Sequence, residues 1–175
     1  MLDGKVGGAK LPDIEAMHAK AKTYATDVVA KADAGDKKAQ EQLLLDRIER
    51  KSIQYEDAKK ALAGLTELGK EERAKLEAKL PNIEMSGITA TAWKDRVAAG
   101  KKLAEMFNAG RIPGGKDTAG FLNYVMMAAE ADKDVKLAEK VVEQAKSAAE
   151  KDKTLERGIS ALEKRLEKLK SEGGK

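Results

Sequence analysis

The stretch of this chain that looks most like chemistry is Gly110-Arg111-Ile112-Pro113-Gly114-Gly115-Lys116-Asp117. It matches a nucleotide-binding phosphate loop at Gly110, Gly115 and Lys116. Such a loop needs Ser or Thr after the lysine, because that hydroxyl holds the magnesium ion. Asp117 stands there instead. The loop must also follow a strand so that its amides converge on the phosphates, and Pro113 removes one amide. A helix pattern precedes it, so the segment reads as a helix end, a turn and a new helix capped by Asp117 or Thr118.

His18 is the single histidine, and its nearest carboxylate at helical spacing is Glu15. One histidine and one glutamate make half of a metal site at best, so His18 reads as a helix-surface residue. Asp33 and Asp36 bracket Gly35 but lack the spaced ligands and terminal glutamate of a calcium loop; helix capping accounts for both. With no cysteine in the chain, thiol catalysis, thiolate metal sites and disulfides are excluded within it. We therefore expect no catalytic residues, no cofactor and no metal.

The 34 basic and 30 acidic side chains leave a net charge of only +4. The two signs interleave. Residues 133–175 hold 12 basic and 9 acidic residues, with Glu139/Lys140, Glu163/Lys164 and Glu167/Lys168 repeating the mixture. Nucleic-acid binders gather their basic residues on one patch. A nucleic-acid or acidic-surface binder is thus the alternative reading, not the leading one. No apolar run approaches the roughly 20 residues of a membrane helix. The N-terminus shows no basic region followed by an apolar one, as a signal peptide would.

What must position these residues is helical. Alanine, leucine, lysine and glutamate dominate, only 3% of residues are aromatic, and no segment alternates as strands do. Ile14, Met17, Ala21, Tyr24, Val28 and Ala32 fall on one helix face after Pro12, and Gly35 closes it. Asp36 caps a second helix with Ala39, Leu43, Leu44 and Ile48 inward. A third begins near Gln54, and a fourth runs over 70–80 until Pro81. A fifth, capped by Thr89 or Thr91, passes through Trp93, Val97, Leu103 and Phe107. Later helices carry Phe121 to Met126, Val135 to Ala149, and Leu155, Ile159, Leu162, Leu166 and Leu169. The last stripe has heptad spacing for only two heptads, so we expect it to pack on the preceding hairpin, with homodimerisation as the other outcome. The expected fold is all-α, seven to eight short antiparallel helices forming a repeat-like bundle of hairpins. Residues 1–10 form a flexible lead-in, 11–171 a single domain and 172–175 a disordered tail.

Several segments together resemble a known family. They are Ala99 to Pro113, the hairpin from Phe121 to Lys146, Leu162 to Leu169, Ala34-Gly35-Asp36 with Gln40 to Leu45, and Tyr55 to Ala58. They resemble the helical accessory domains appended to bacterial thioredoxin-fold proteins, whose hairpins are similar to tetratricopeptide-like repeats. In that family the redox chemistry belongs to a Cys-x-x-Cys domain, so the resemblance implies a non-catalytic module that binds a protein or peptide partner on a concave face. It implies a periplasmic setting if it extends to a longer parent protein. The residues near the glycine-proline loop suggest where such a groove would lie: the aromatics Trp93, Phe107 and Phe121, with Arg111.

Overall fold

The computed structural model describes residues 5–6, 9–10, 14–65 and 69–173. Helices build it, so the fold is all-α. Lys5–Val6 (β1) and Ala9–Lys10 (β2) pair as a two-residue antiparallel ladder within the lead-in. Pro12 lies outside the described residues. No described helix is long and apolar enough to cross a membrane.

By their internal contacts the residues group into two compact units, 1–47 and 48–175. In the first, α1 (Ile14–Tyr24) runs through a π-helical stretch (Ala25–Val29) into α2 (Ala30–Asp33). Threonines line the wide turn. Thr23 Oγ1 donates back to the Ala19 carbonyl at 3.0 Å, and Thr26 Oγ1 to the Lys22 carbonyl at 3.1 Å. Such back-bonding bends helices. Of the expected apolar face, Met17 is 56% exposed, Tyr24 and Val28 are half-buried and Ala32 is buried. Gly35 takes φ +91°, and Asp36 Oδ1 accepts from Ala39 N at 2.9 Å, so the expected cap starts α3 (Lys37–Glu49). On α3 Ala39, Leu44 and Ile48 are buried, while Leu43 is half-buried.

In the second unit, α4 (Tyr55–Gly64) begins after Gln54 as its spacing requires. Its exposed C-terminal carbonyls are capped from α5 (Lys70–Glu77): Arg73 donates to Leu62 O at 2.9 Å and also to Leu65 O. That satisfies acceptors every helix end leaves unpaired. Of breaking or restarting the chain, the two roles open to it, Pro81 takes the second. It lies in the first turn of α6 (Leu80–Thr89), where its missing N–H costs nothing. The sequence reading starts the next helix too early. Thr89 Oγ1 bonds back to Met85 O at 2.9 Å within α6, and the true cap is Asp95, whose Oδ1 accepts from Ala98 N at 2.9 Å. α7 therefore spans Arg96–Asn108 and leaves Trp93 in the preceding turn. Joining α1 with α2 and α5 with α6, whose connecting residues stay helical or turn-like, gives eight rods.

α8 (Asp117–Asp132), α9 (Val135–Lys151) and α10 (Glu156–Gly173) complete the unit. Lys133 adopts φ +53° between α8 and α9, and Asp134 Oδ1 caps α9 through Leu137 N at 2.9 Å. Asp152 opens a short 3₁₀ turn (Lys153–Leu155) ahead of α10. Leu103, Met106, Phe121, Leu122, Val125, Met126, Val141 and Val142 form the core, with Leu162 and Leu169 in the same cluster. The leucine stripe of α10 therefore packs back on the α8–α9 hairpin. α10 continues through Glu172 and Gly173, past the expected domain limit at 171.

The tightest point lies where α7 crosses α8. A Cβ on Gly100 would stand 2.5 Å from the Tyr124 carbonyl oxygen and 3.4 Å from Ala128 Cβ. Alanine inside a helix normally gains up to about 1 kcal/mol over glycine. Here the backbone leaves no room, so Gly100→Ala should lose about 1–3 kcal/mol through overpacking. Gly158, in α10 with nothing within 4 Å of its Cβ position, should show the opposite sign, a gain of about 0.5–1 kcal/mol in Gly158→Ala. Urea unfolding of both variants measures this; equal signs would refute the crossing as drawn.

Candidate partner groove

The four residues expected to share a groove do not do so. Phe121 is 0% exposed and tilts against Phe107 with ring centroids 6.4 Å apart, so both rings fill core. A helix packed on three sides hides Phe121, where its spacing alone would also have suited an open face. Arg111 leaves the loop to form a bidentate pair with Glu84 on α6, Nε to Oε2 at 2.9 Å and Nη2 to Oε1 at 3.0 Å. That hydrogen bond raises the guanidinium pKa. Trp93 is 76% exposed, held in the turn before α7.

The glycine-proline loop has a structural task. Gly110 and Gly115 take φ +71° and +63°. The Asn82 side chain pairs with Gly114 as another peptide unit would, donating Nδ2 to its carbonyl at 2.9 Å and accepting its N–H at 3.2 Å. Thr118 Oγ1 donates to the buried Pro113 carbonyl at 2.8 Å. Asp117 does not cap α8 as expected. Its carboxylate turns to Lys51 and to Asn82 Nδ2, the latter at 2.7 Å. Burial works to raise this carboxyl, yet the hydrogen bonds from Lys51 and Asn82 outweigh it and hold the pKa below the ordinary value. The Gly114 amide, one of those a phosphate would need, is thus spent on closing the loop against α6. His18 is exposed on α1, and no group of three or more His, Asp or Glu among the described residues is placed to hold a metal ion.

A groove exists elsewhere. α9 packs against both α8 and α10, and α8 and α10 part above it. The opening has a volume of ≈ 300 Å³. Leu122, Ile159 and Leu162 form its apolar lining, and Ala119, Gly120, Gly158 and Ala161 keep its walls low. Arg165 bounds it. Its Nε and Nη2 meet Glu130 Oε1 and Oε2 at 2.6 Å each, and Nη1 donates to Asn123. The pair ties α10 to α8 at the groove's edge. Sequence reasoning weighed aromatics and overlooked small residues. The available signal was Gly158 and Ala161 one turn apart on α10, on a helix otherwise dense with long charged side chains.

The Arg165 hydrogen bond lowers the Glu130 pKa, against an opposing push from partial burial. A carboxyl depressed in the folded state contributes stability above its unfolded pKa and loses it as pH falls through the folded value. The stability gap between the parent and Glu130→Gln should therefore be widest near neutrality. It should close below about pH 4.3, the ordinary glutamate value. Urea unfolding across pH reads this; a gap that does not change with pH would show that the pair contributes nothing through ionisation.

No family model, no curated protein and no solved structure matches this chain.

Proposed function

We propose that this chain is a non-catalytic helical protein-interaction module whose α8/α10 groove receives a short amphipathic helix of a protein partner. The groove itself carries this reading. Its floor is apolar, its walls are alanine and glycine, and it follows α10 from Gly158 to Arg165 opposite Ala119 to Asn123 of α8. Small residues let a visiting helix approach backbone to backbone, while Leu122, Ile159 and Leu162 supply surface for side chains spaced i, i+3 or i+4, and i+7. The Arg165–Glu130 pair fixes the spacing of the two walls and so limits what ordering must accompany binding. Such a role is also what the resemblance to accessory helical domains of bacterial thioredoxin-fold proteins implies, a domain that docks a partner and leaves chemistry to another.

A displayed library of helical peptides, selected on the intact chain, tests the proposal. Selected binders should carry one apolar stripe and lose affinity at least about tenfold, or about 1.4 kcal/mol, for Ala161→Phe, which fills the groove from an exposed position. Circular dichroism confirms that the variant stays folded. Binders that tolerate Ala161→Phe, or a selection that returns none with an apolar stripe, would overturn the reading.

A further inference from the structure

The turn between α6 and α7 presents apolar surface that nothing in its own unit covers. Trp93 is 76% exposed and Val97, four residues on, is 37% exposed. The turn beneath them is anchored. Ala92 is buried, its N–H donates to Thr89 O at 3.0 Å, and Lys94 N donates to Thr91 O at 3.0 Å. The indole is thus held outward by an ordered backbone.

The charges around it have one prevailing sign. Residues 90–102 contain Lys94, Arg96, Lys101 and Lys102 against the single acid Asp95. Asp95 is engaged with the α7 N-terminus through Ala98 N. Lys101 pairs with Asp132 at 2.6 Å. Lys94, Arg96 and Lys102 have no carboxylate partner among the described residues, and Lys94 Nζ lies 5.2 Å from the Trp93 ring centroid. An exposed tryptophan, with Val97 four residues on and Lys94, Arg96 and Lys102 in the same segment, has the composition of a membrane-interface contact. The ring suits the headgroup level, and lysine and arginine stems reach back to anionic phosphates.

We infer that this turn docks on an anionic lipid surface, Trp93 and Val97 entering the interface and Lys94 and Arg96 holding the headgroups. Single-stranded nucleic acid shares the negative charge but favours a row of rings for successive bases. Here Phe121 is buried, Phe107 and Tyr124 pack against the core, and the ring pair found among the described residues is Phe107–Phe121, without Trp93. Nothing in the inference depends on the α8/α10 groove, with which the turn shares no residue.

Trp93 is the only tryptophan of the chain, so its fluorescence reports its own surroundings. The intact protein is titrated at low salt with vesicles of phosphatidylcholine alone, with vesicles of equal parts phosphatidylcholine and phosphatidylglycerol, and with oligothymidylate. A blue shift with the anionic vesicles only, reversed by high salt, is the expected result. In a vesicle sedimentation assay, Lys94→Glu and Arg96→Glu should each weaken binding about fivefold or more. Trp93→Ala should abolish most of it, with the helical circular dichroism of the parent retained. No shift with anionic vesicles, an equal shift with neutral ones, or a response to oligothymidylate alone would overturn the inference.

Discussion

The approach of α7 to α8 at Gly100 sets the geometry on which the second unit depends. With the Tyr124 carbonyl oxygen 2.5 Å from where a Cβ would stand, the two backbones approach more closely than any other residue type at this position would allow. That closeness turns Leu103 and Met106 into the interior beside Phe121, Leu122 and Val125. It also places Tyr124 and Asn123 where α8 can show its other face to α10. A bulkier residue at the crossing would displace α8 as a body, because its interior is too densely packed to absorb the change locally. The aliphatic core, nearly free of aromatic mass, has little else with which to fix helix positions.

Electrostatics arranges the outer helices without supplying much of their stability. Lys146–Glu163 at 2.7 Å and Lys170–Glu139 at 2.6 Å link α9 to α10, and Arg165–Glu130 links α10 to α8. Exposed pairs of this kind are worth about 0–1 kcal/mol each. Their use is in register. The interleaved signs that make the sequence look featureless let α10 find one axial position against α9, where a uniformly basic helix would slide.

Much of the fold was legible because local chemistry and tertiary packing agree. Gly35 with Asp36, and Asp134 before α9, each work where their residue types place them. The disagreements share a cause: a side chain with two partners open to it. Asp117 had the position of a cap but found Lys51, 66 residues away in sequence, and no local pattern contains that choice. Thr89 and Thr91 offered caps, yet Asp95 holds the helix start and thereby releases Trp93 to the surface. The groove escaped notice for a different reason. Aromatics announce themselves in a sequence, whereas a space is made by alanine and glycine, residues common throughout this chain.

The π-helical stretch Ala25–Val29 has an effect on how the first unit can be built. A wide turn holds one residue more than an α-turn, so it sets the helix after it about 100° out of phase with the helix before it. Met17 and Ala21 therefore follow one angular frame and Ala32 another, although a single uninterrupted rod joins them. A helix with such a dislocation can turn one side toward its own unit at Ala32 while its N-terminal half faces a different direction. The inserted residue works as a rotational offset written into the chain, one that turns the helix face without a break in its hydrogen-bonded backbone.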